Sequence, residues 1–487
     1  MATVIRGGTV LAWDGRGHVA VPGGVVLIEG GRIAYAGPEG RAPAHAAAEV
    51  IDATGLVVAP GFVNTHVHAS IQATTLWGLD AGRRDVYGSL YLAYQPREDQ
   101  GQTPLTPGEE RDIVEFSLGR LLRQGSTTVV EMGSVNADPD LLAEVIGAIG
   151  IRAYTGPGFR SASYFYDQNN RLQYRWDHEA GRRGLQRALA FHDRWDGAFS
   201  GRLRAMIIPR NADTCPPELL REAHRHAVER GAVMQIHTAQ HLIEFQEIMR
   251  RHGRTPVRFL YELGILGPHM TLGHCVYVSG HSKTAVPGDD DLEILAGTGT
   301  SVAHSPREYL RYGHILETFA RYRRHGVNMT IGTDTLPQDM ISEVRFASYL
   351  AKVIERDYAA ATAEEVFYAA TVGGARALQR DDLGRLAPGA VADVVLWDLR
   401  NLRVGPYFEP IKALVHCATG DDVDTVLVDG EVVVRGGRAL RMTEERVILR
   451  RVQAIAEKVC RHRWPELLAD AESVAAVHAR VQHELPG

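Results

Sequence analysis

Pro60-Gly61-Phe62-Val63-Asn64-Thr65-His66-Val67-His68 ends an apolar stretch that begins at Val57 and has the character of a buried strand with polar residues at its close. Side chains two residues apart on a strand point to the same side, so a strand running to this point brings the imidazoles of His66 and His68 together at its end. Convergent imidazoles suit a metal ion, and a structural histidine pair has the same spacing. The company kept by the pair separates the two readings. Gln235-Ile236-His237, Leu272-Gly273-His274-Cys275 and Ile331-Gly332-Thr333-Asp334 place two further histidines and an aspartate where short apolar strands also end. Three neutral imidazoles and a carboxylate form a suitable donor set for a borderline divalent ion such as zinc, with an open position for water. Coordination lowers the pKa of such a water toward neutrality, which implies hydrolysis.

Outward from this stretch, eight apolar strands are expected, at 57–65, 126–131, 152–155, 203–208, 232–236, 270–272, 300–303 and 327–331. Helical patterns lie between them, at 109–122, 217–229, 242–252 and 340–356. This alternation over residues 58–382 predicts an α/β fold, a (β/α)8 TIM-type barrel with its chemistry on loops at the carboxyl ends of the strands. Residues 1–57 and 383–442 read instead as short strands punctuated by glycine, with Asp429-Gly430 as a tight hairpin turn, and predict one small β-sandwich domain built from both chain ends. Residues 443–487 read as a helical tail. Two insertions fall on barrel loops. The first, 69–108, carries Trp77, Tyr87, Tyr91 and Tyr94; the second, 157–180, carries Phe159, Tyr164, Phe165, Tyr166, Tyr174 and Trp176. Such aromatics serve either as the loop's own small core or as a platform for a flat substrate.

Composition narrows the class. The 487 residues are 45% hydrophobic and 23% charged, as in ordinary globular proteins, and contain no run of about 18 apolar residues. The start shows no basic, apolar and small-residue leader. Four scattered cysteines without a CxxC pair suit reduced thiols, so a cytoplasmic protein is expected. A net charge of −6 with no basic stripe argues against nucleic acid or an anionic membrane as partner and for a small-molecule substrate. A homo-oligomer, dimer or higher, is expected.

The chain resembles the amidohydrolase superfamily, in its cytosine deaminase-like and triazine hydrolase-like (chlorohydrolase–aminohydrolase) branch. The resemblance rests on the strand ends above, on Gly125-Ser126-Thr127-Thr128, and on Leu383-Gly384-Arg385-Leu386-Ala387-Pro388-Gly389-Ala390-Val391-Ala392-Asp393. It implies that His66, His68, His237 and Asp334 bind one metal, zinc first with iron, nickel or manganese as alternatives. It also implies that His274 hydrogen-bonds the nascent hydroxide or the substrate and that Asp334 accepts the water proton. Binuclear relatives use a carboxylated lysine at the end of the fourth strand. Here that strand ends Ile207-Ile208-Pro209-Arg210, and the four lysines, Lys283, Lys352, Lys412 and Lys458, lie elsewhere, so one metal is expected.

Two departures bear on the reaction. Deaminases of this branch carry a proton-shuttling glutamate three residues after the fifth-strand histidine; Gln240 stands there, and its amide cannot titrate. His241 and Glu244 are the candidate substitutes. The seventh-strand loop, often His-x-Pro-x-Ser-Asn in relatives, reads His304-Ser305-Pro306-Arg307-Glu308-Tyr309. Trp77, Glu131, Arg307 and His304 are the candidate substrate contacts, Arg307 as a clamp for a carboxylate or oxo group or else as half of an ion pair. The expected function is mononuclear, metal-dependent hydrolysis of a non-peptide C–N bond in a small cyclic or aryl-containing molecule, by removal of a ring amino group or by cleavage of an amide or urea. The alternatives are a catalytically altered, ligand-binding homologue and a metal-dependent lyase or isomerase.

Overall fold

Gly61 divides the decisive stretch. Val57–Pro60 pairs into one sheet and Phe62–Val67 into another. A Cβ at residue 61 would lie 2.1 Å from Thr127 Oγ1, and the Gly61 N–H donates to the Asp393 carbonyl at 3.0 Å, so the chain passes between the sheets only without a side chain there. The one strand expected over 57–65 is thus two.

The computed structural model describes residues 2–44, 48–69, 103–133, 138–169, 171–335 and 337–463. In chain order its strands are β1 (Ala2–Trp13), β2 (His18–Glu29), β3 (Arg32–Pro38), β4 (Ala48–Asp52), β5 (Val57–Pro60), β6 (Phe62–Val67), β7 (Ser126–Glu131), β8 (Arg152–Thr155), β9 (Gly158–Phe159), β10 (Ala162–Tyr166) and β11 (Leu172–Trp176). They continue as β12 (Leu203–Ala205), β13 (Ile208–Pro209), β14 (Met234–Thr238), β15 (Met270–His274), β16 (Ser301–His304), β17 (Asn328–Ile331), β18 (Val394–Trp397), β19 (Val423–Val428), β20 (Glu431–Arg435) and β21 (Arg438–Ala439).

Strands from both chain ends share one nine-stranded sheet, ordered β21-β20-β19-β18-β5-β1-β2-β3 with β4 on β1. Two of its hairpin turns, Gly30-Gly31 and Asp429-Gly430, have positive φ at all four positions (56°, 77°, 52° and 76°), the requirement of a type I′ turn. The turns touch: a Cβ on Gly31 would lie 2.9 Å from the Asp429 carbonyl oxygen. The sheet therefore curls on itself around Ile5, Val26, Ile28, Ile33, Val394 and Leu427.

The middle of the chain is mixed α/β. Parallel sheets β12-β8-β7-β6 and β14-β15-β16-β17 are joined by parallel bridges at Ile207–Met234 and Asn211–His237 on one seam and at Val67–Asp334 on the other. Helices Pro107–Arg123, Pro217–Arg230, Leu242–His252 and Met340–Glu355 lie where the periodicity predicts them. The first insertion lies outside the described residues from 70 to 102. The second is the β10–β11 hairpin, where Tyr174 and Trp176 stack with centroids 6.3 Å apart under the Arg251 guanidinium, 4.2 and 5.1 Å from the two rings. These aromatics dock the hairpin on helix Leu242–His252. The tail is described as helix Glu445–Arg463, whose Ile455 and Val459 pack on Ile113.

Arg152 on β8 ties the curled sheet to the parallel one. Its buried guanidinium donates to both oxygens of buried Asp393 at 3.1 Å and to Asp429 at 2.5 Å, and Arg202 adds bonds to Asp429 at 2.7 Å and Glu431 at 2.9 Å. Removing one partner of a buried ion pair strands the other. Arg152→Met is expected to lower unfolding free energy by about 3–5 kcal/mol, read as a lower urea midpoint.

Candidate metal centre

Three non-glycine residues at neighbouring strand ends have left-handed backbone: Asp334 after β17 (φ 53°), His274 closing β15 (80°) and Ala239 after β14 (52°). Such conformations persist where the surroundings over-determine them. For Asp334 the surroundings are the backbone of the first parallel strand. The Asp334 N–H donates to the His66 carbonyl at 2.9 Å, and the His68 N–H donates to the Asp334 carbonyl at 3.1 Å. Asn64 braces both sides, donating to Thr333 Oγ1 at 2.8 Å and accepting from the Thr333 N–H at 3.2 Å. Gly332 is required for this approach, since a Cβ there would lie 2.6 Å from that of His66.

The braced ends bring together the five side chains expected from the sequence. Asp334 Oδ2 lies 3.4 Å from His274 Nε2 and 4.0 Å from His66 Nε2, its Oδ1 lies 3.6 Å from His68 Nε2, and the Nε2 atoms of His68 and His237 are 3.3 Å apart. Two ligand triads, His66-His237-His274 and His66-His68-Asp334, have donor atoms within 4.8 Å of one another. The tautomers follow from the partners. Gln235 spends its amide N–H on the Thr65 carbonyl (2.9 Å), so its Oε1 accepts from His66 Nδ1 (2.6 Å); His237 Nδ1 donates to the Arg210 carbonyl (2.6 Å). Both rings therefore turn an unprotonated Nε2 into the cluster. That of His66 is buried without a hydrogen-bond partner among the described residues. Burial holds His66 down at about 4 and pushes His68, His237 and His274 well below the usual imidazole range, so all four are neutral at pH 7. Neutral nitrogens, one buried and orphaned, beside a carboxylate are the donor set a divalent cation takes. Burial, then the charge of Glu308, pushes the Asp334 carboxyl well above its usual range in the bare protein.

The other candidates are placed less directly. Gln240 is buried beside the cluster, and its backbone N–H, with that of Ala239, donates to Glu244 at 2.9 Å. Glu244 thus spends both oxygens on the loop, and His241 packs toward Tyr309 with centroids 6.3 Å apart. Glu131 accepts from Thr155 Oγ1 (2.8 Å), the Gly133 N–H (2.9 Å) and the Ala69 N–H (3.3 Å), so it binds the strand-end loops together. His304 closes β16 buried, its pKa held at about 3 by desolvation. Arg307 turns to helix Met340–Glu355: its Nη1 donates to the Pro337 carbonyl (3.2 Å), its Nε lies 3.6 Å from Glu343, and its guanidinium covers Phe346 at 5.2 Å. This is the ion-pair alternative of the sequence reading. Trp77 lies outside the described residues.

Three features escaped the sequence reading. Gln235, two residues before His237 and so on the same side of β14, was legible from alternation alone. Tyr309 sets its ring 5.1 Å from that of His274, with its hydroxyl buried and unpartnered among the described residues. Glu308, bonded to Arg311 three residues on and to Thr335, forms a buried ion pair beside Asp334; the i,i+3 spacing to Arg311 was legible, the approach of Thr335 was not.

The sequence model of the amidohydrolase family matches residues 57–433. A 5-methylthioadenosine/S-adenosylhomocysteine deaminase of Symbiobacterium thermophilum is 34% identical over 444 residues, covering 88% of this chain and 93% of its own. Among solved structures, an adenosine deaminase from Xanthomonas campestris with bound zinc superposes with a TM-score of 0.79 at 22% identity, covering 94% of this chain and 98% of its own. An atrazine chlorohydrolase from Arthrobacter aurescens complexed with zinc gives 0.74 at 21%, covering 93% and 100%. The chain belongs to the amidohydrolase family and is a metal-dependent hydrolase of carbon–nitrogen bonds other than peptide bonds.

Proposed function

We propose that this hydrolase carries one divalent ion, zinc, and removes the exocyclic amino group of a heteroaromatic ring, an aminopurine of the nucleoside type. The observation that carries the reading is the convergence of Asp334 on the Nε2 atoms of His66, His68 and His274 within 4.0 Å. The relative from Symbiobacterium, a deaminase by name, supports the choice of an amino group on a purine. Around the site we propose a closed (β/α)8 barrel over residues 58–382, formed by the two parallel sheets and their bridging seams. A β-sandwich from 1–57 and 383–442 and a helical tail from 443 complete the domain plan. We further propose a cytoplasmic homo-oligomer.

His66, His68, His237 and Asp334 would hold the ion, and Arg210 at the end of β13 leaves no lysine there for a second. Bound there, the cation supplies Lewis acidity that brings the pKa of water toward neutrality. Asp334 accepts the proton of the attacking water as the water oxygen bonds to the ring carbon. His274, neutral and 3.4 Å from Asp334, donates to the oxygen that develops charge. Asp334 then returns its proton to the departing nitrogen, so ammonia leaves and the ring keeps a hydroxyl whose proton passes to the ring nitrogen as the oxo tautomer forms. Gln240 contributes a hydrogen bond to the heterocycle in place of a proton. The same substitution supports a second reading, cleavage of an amide or urea, for which Asp334 alone suffices.

Three outcomes are expected. Metal-replete protein releases ammonia from 6-aminopurine nucleosides and not amine from an amide and urea panel; chelation abolishes the activity and zinc restores it, and the reverse preference selects the second reading. Asp334→Asn lowers kcat by about 10²–10⁴-fold; wild-type turnover by that variant would remove Asp334 from the role of base. Gln235→Leu, which frees the His66 ring, weakens zinc affinity by about 10–100-fold in a chelator competition.

A further inference from the structure

Next to the histidine cluster, a cavity of about 390 Å³ opens between the ends of β7, β8 and β13 and helix His178–Trp195. Its lining includes Gly133, Gly158 and Gly184 and three arginines, Arg160, Arg187 and Arg210. Glycine lets its walls pack closely. A Cβ on Gly158 would come within 3.2 Å of Arg210 Cγ, and one on Gly184 within 2.5 Å of Phe159 Cβ.

No ion pair joins these arginines to a carboxylate among the described residues. Arg210 donates Nη1 to the Gly133 carbonyl at 3.0 Å, while its Nε is buried without a hydrogen-bond partner among the described residues. Among the described residues, the nearby carboxylates Glu179, Asp177 and Asp140 pair with Arg182, Arg183 and Arg194. The cavity also adjoins the chemistry, because the Arg210 carbonyl accepts from His237 Nδ1 at 2.6 Å. Guanidinium groups gathered on a cavity with glycine walls are the arrangement that binds carboxylate or phosphate through charge-assisted hydrogen bonds.

We propose that Arg160, Arg187 and Arg210 form an anion subsite, so that the substrate carries a carboxylate or phosphate group held here while its C–N bond lies at the histidine cluster. As an account of substrate the proposal rests on the hydrolase reading above; as a binding site it can be read without turnover. Inorganic phosphate and acetate are titrated calorimetrically into metal-loaded wild type, Arg160→Met, Arg187→Met and the conservative Arg160→Lys, with circular dichroism as the folding control. Phosphate also meets metal centres, so the change on substitution is the readout.

The expected result is that one anion binds wild type, that each methionine variant binds it roughly tenfold or more weakly, about the loss of a charge-assisted contact, and that Arg160→Lys recovers part of the loss. Preference for phosphate or for acetate identifies the group. Equal affinities across folded variants, or no binding of either anion to wild type, overturns the proposal. In turnover, the KM ratio of an aminopurine nucleoside to its 5′-phosphate or 5′-carboxylate analogue exceeds ten for wild type and collapses in the variants. Absence of any turnover with the calorimetric pattern intact sinks the deaminase reading and leaves the anion site standing.

Discussion

The reciprocal backbone bonds between Asp334 and the His66–His68 strand end, 2.9 and 3.1 Å long, are the constraint from which the site follows. They join the first strand of one parallel sheet to the last strand of the other and fix the carboxylate under three imidazoles. A left-handed aspartate is costly in isolation, and here both of its backbone polar groups are bonded in that conformation. The only side chain Gly332 could carry would collide with His66, so the approach of the two strands and the geometry of the cluster are one requirement.

The loops that follow the strands are held by a repeated device. A buried carboxylate reaches back to accept backbone N–H groups at the strand end: Glu131 from Ala69 and Gly133, Glu244 from Ala239 and Gln240, Asp291 from Ser279, Glu343 from Arg307. Hydrogen bonds of this kind anchor segments that would otherwise sample several conformations. Burial raises Glu244, Asp291 and Glu343, the last to about 8, which records the cost of placing acids there. These acids brace the loops that follow the strand ends.

Arginine does in this chain what lysine does in many proteins. With 49 arginines against 4 lysines, the position at the end of β13 carries a guanidinium that is planar, permanently charged and unable to form a carbamate bridge. Its carbonyl sets the tautomer of His237, its Nη1 holds the Gly133 loop, and its charge helps keep His68 and His237 neutral.

Strand-end histidines and Asp334 were legible because alternation along a strand and the apolar-to-polar switch at its end are local properties, and residues two apart must share a side. The helices at 217–230, 242–252 and 340–355 and the Asp429-Gly430 turn were legible for the same reason. What the sequence could not say is which distant groups meet those residues. Glu308 is met beside Asp334 by Thr335 from 27 residues away, and Arg307, open in the sequence between a substrate clamp and an ion pair, lies against Glu343 and Phe346. The break at Gly61 belongs to the same class, since only Thr127 packed against it shows why the strand must change sheets. Periodicity in the sequence placed the four histidines and Asp334 at strand ends; protonation, tautomer and the partners of loop charges such as Arg307 came from the tertiary structure, because burial and contacts between residues far apart in the chain set them.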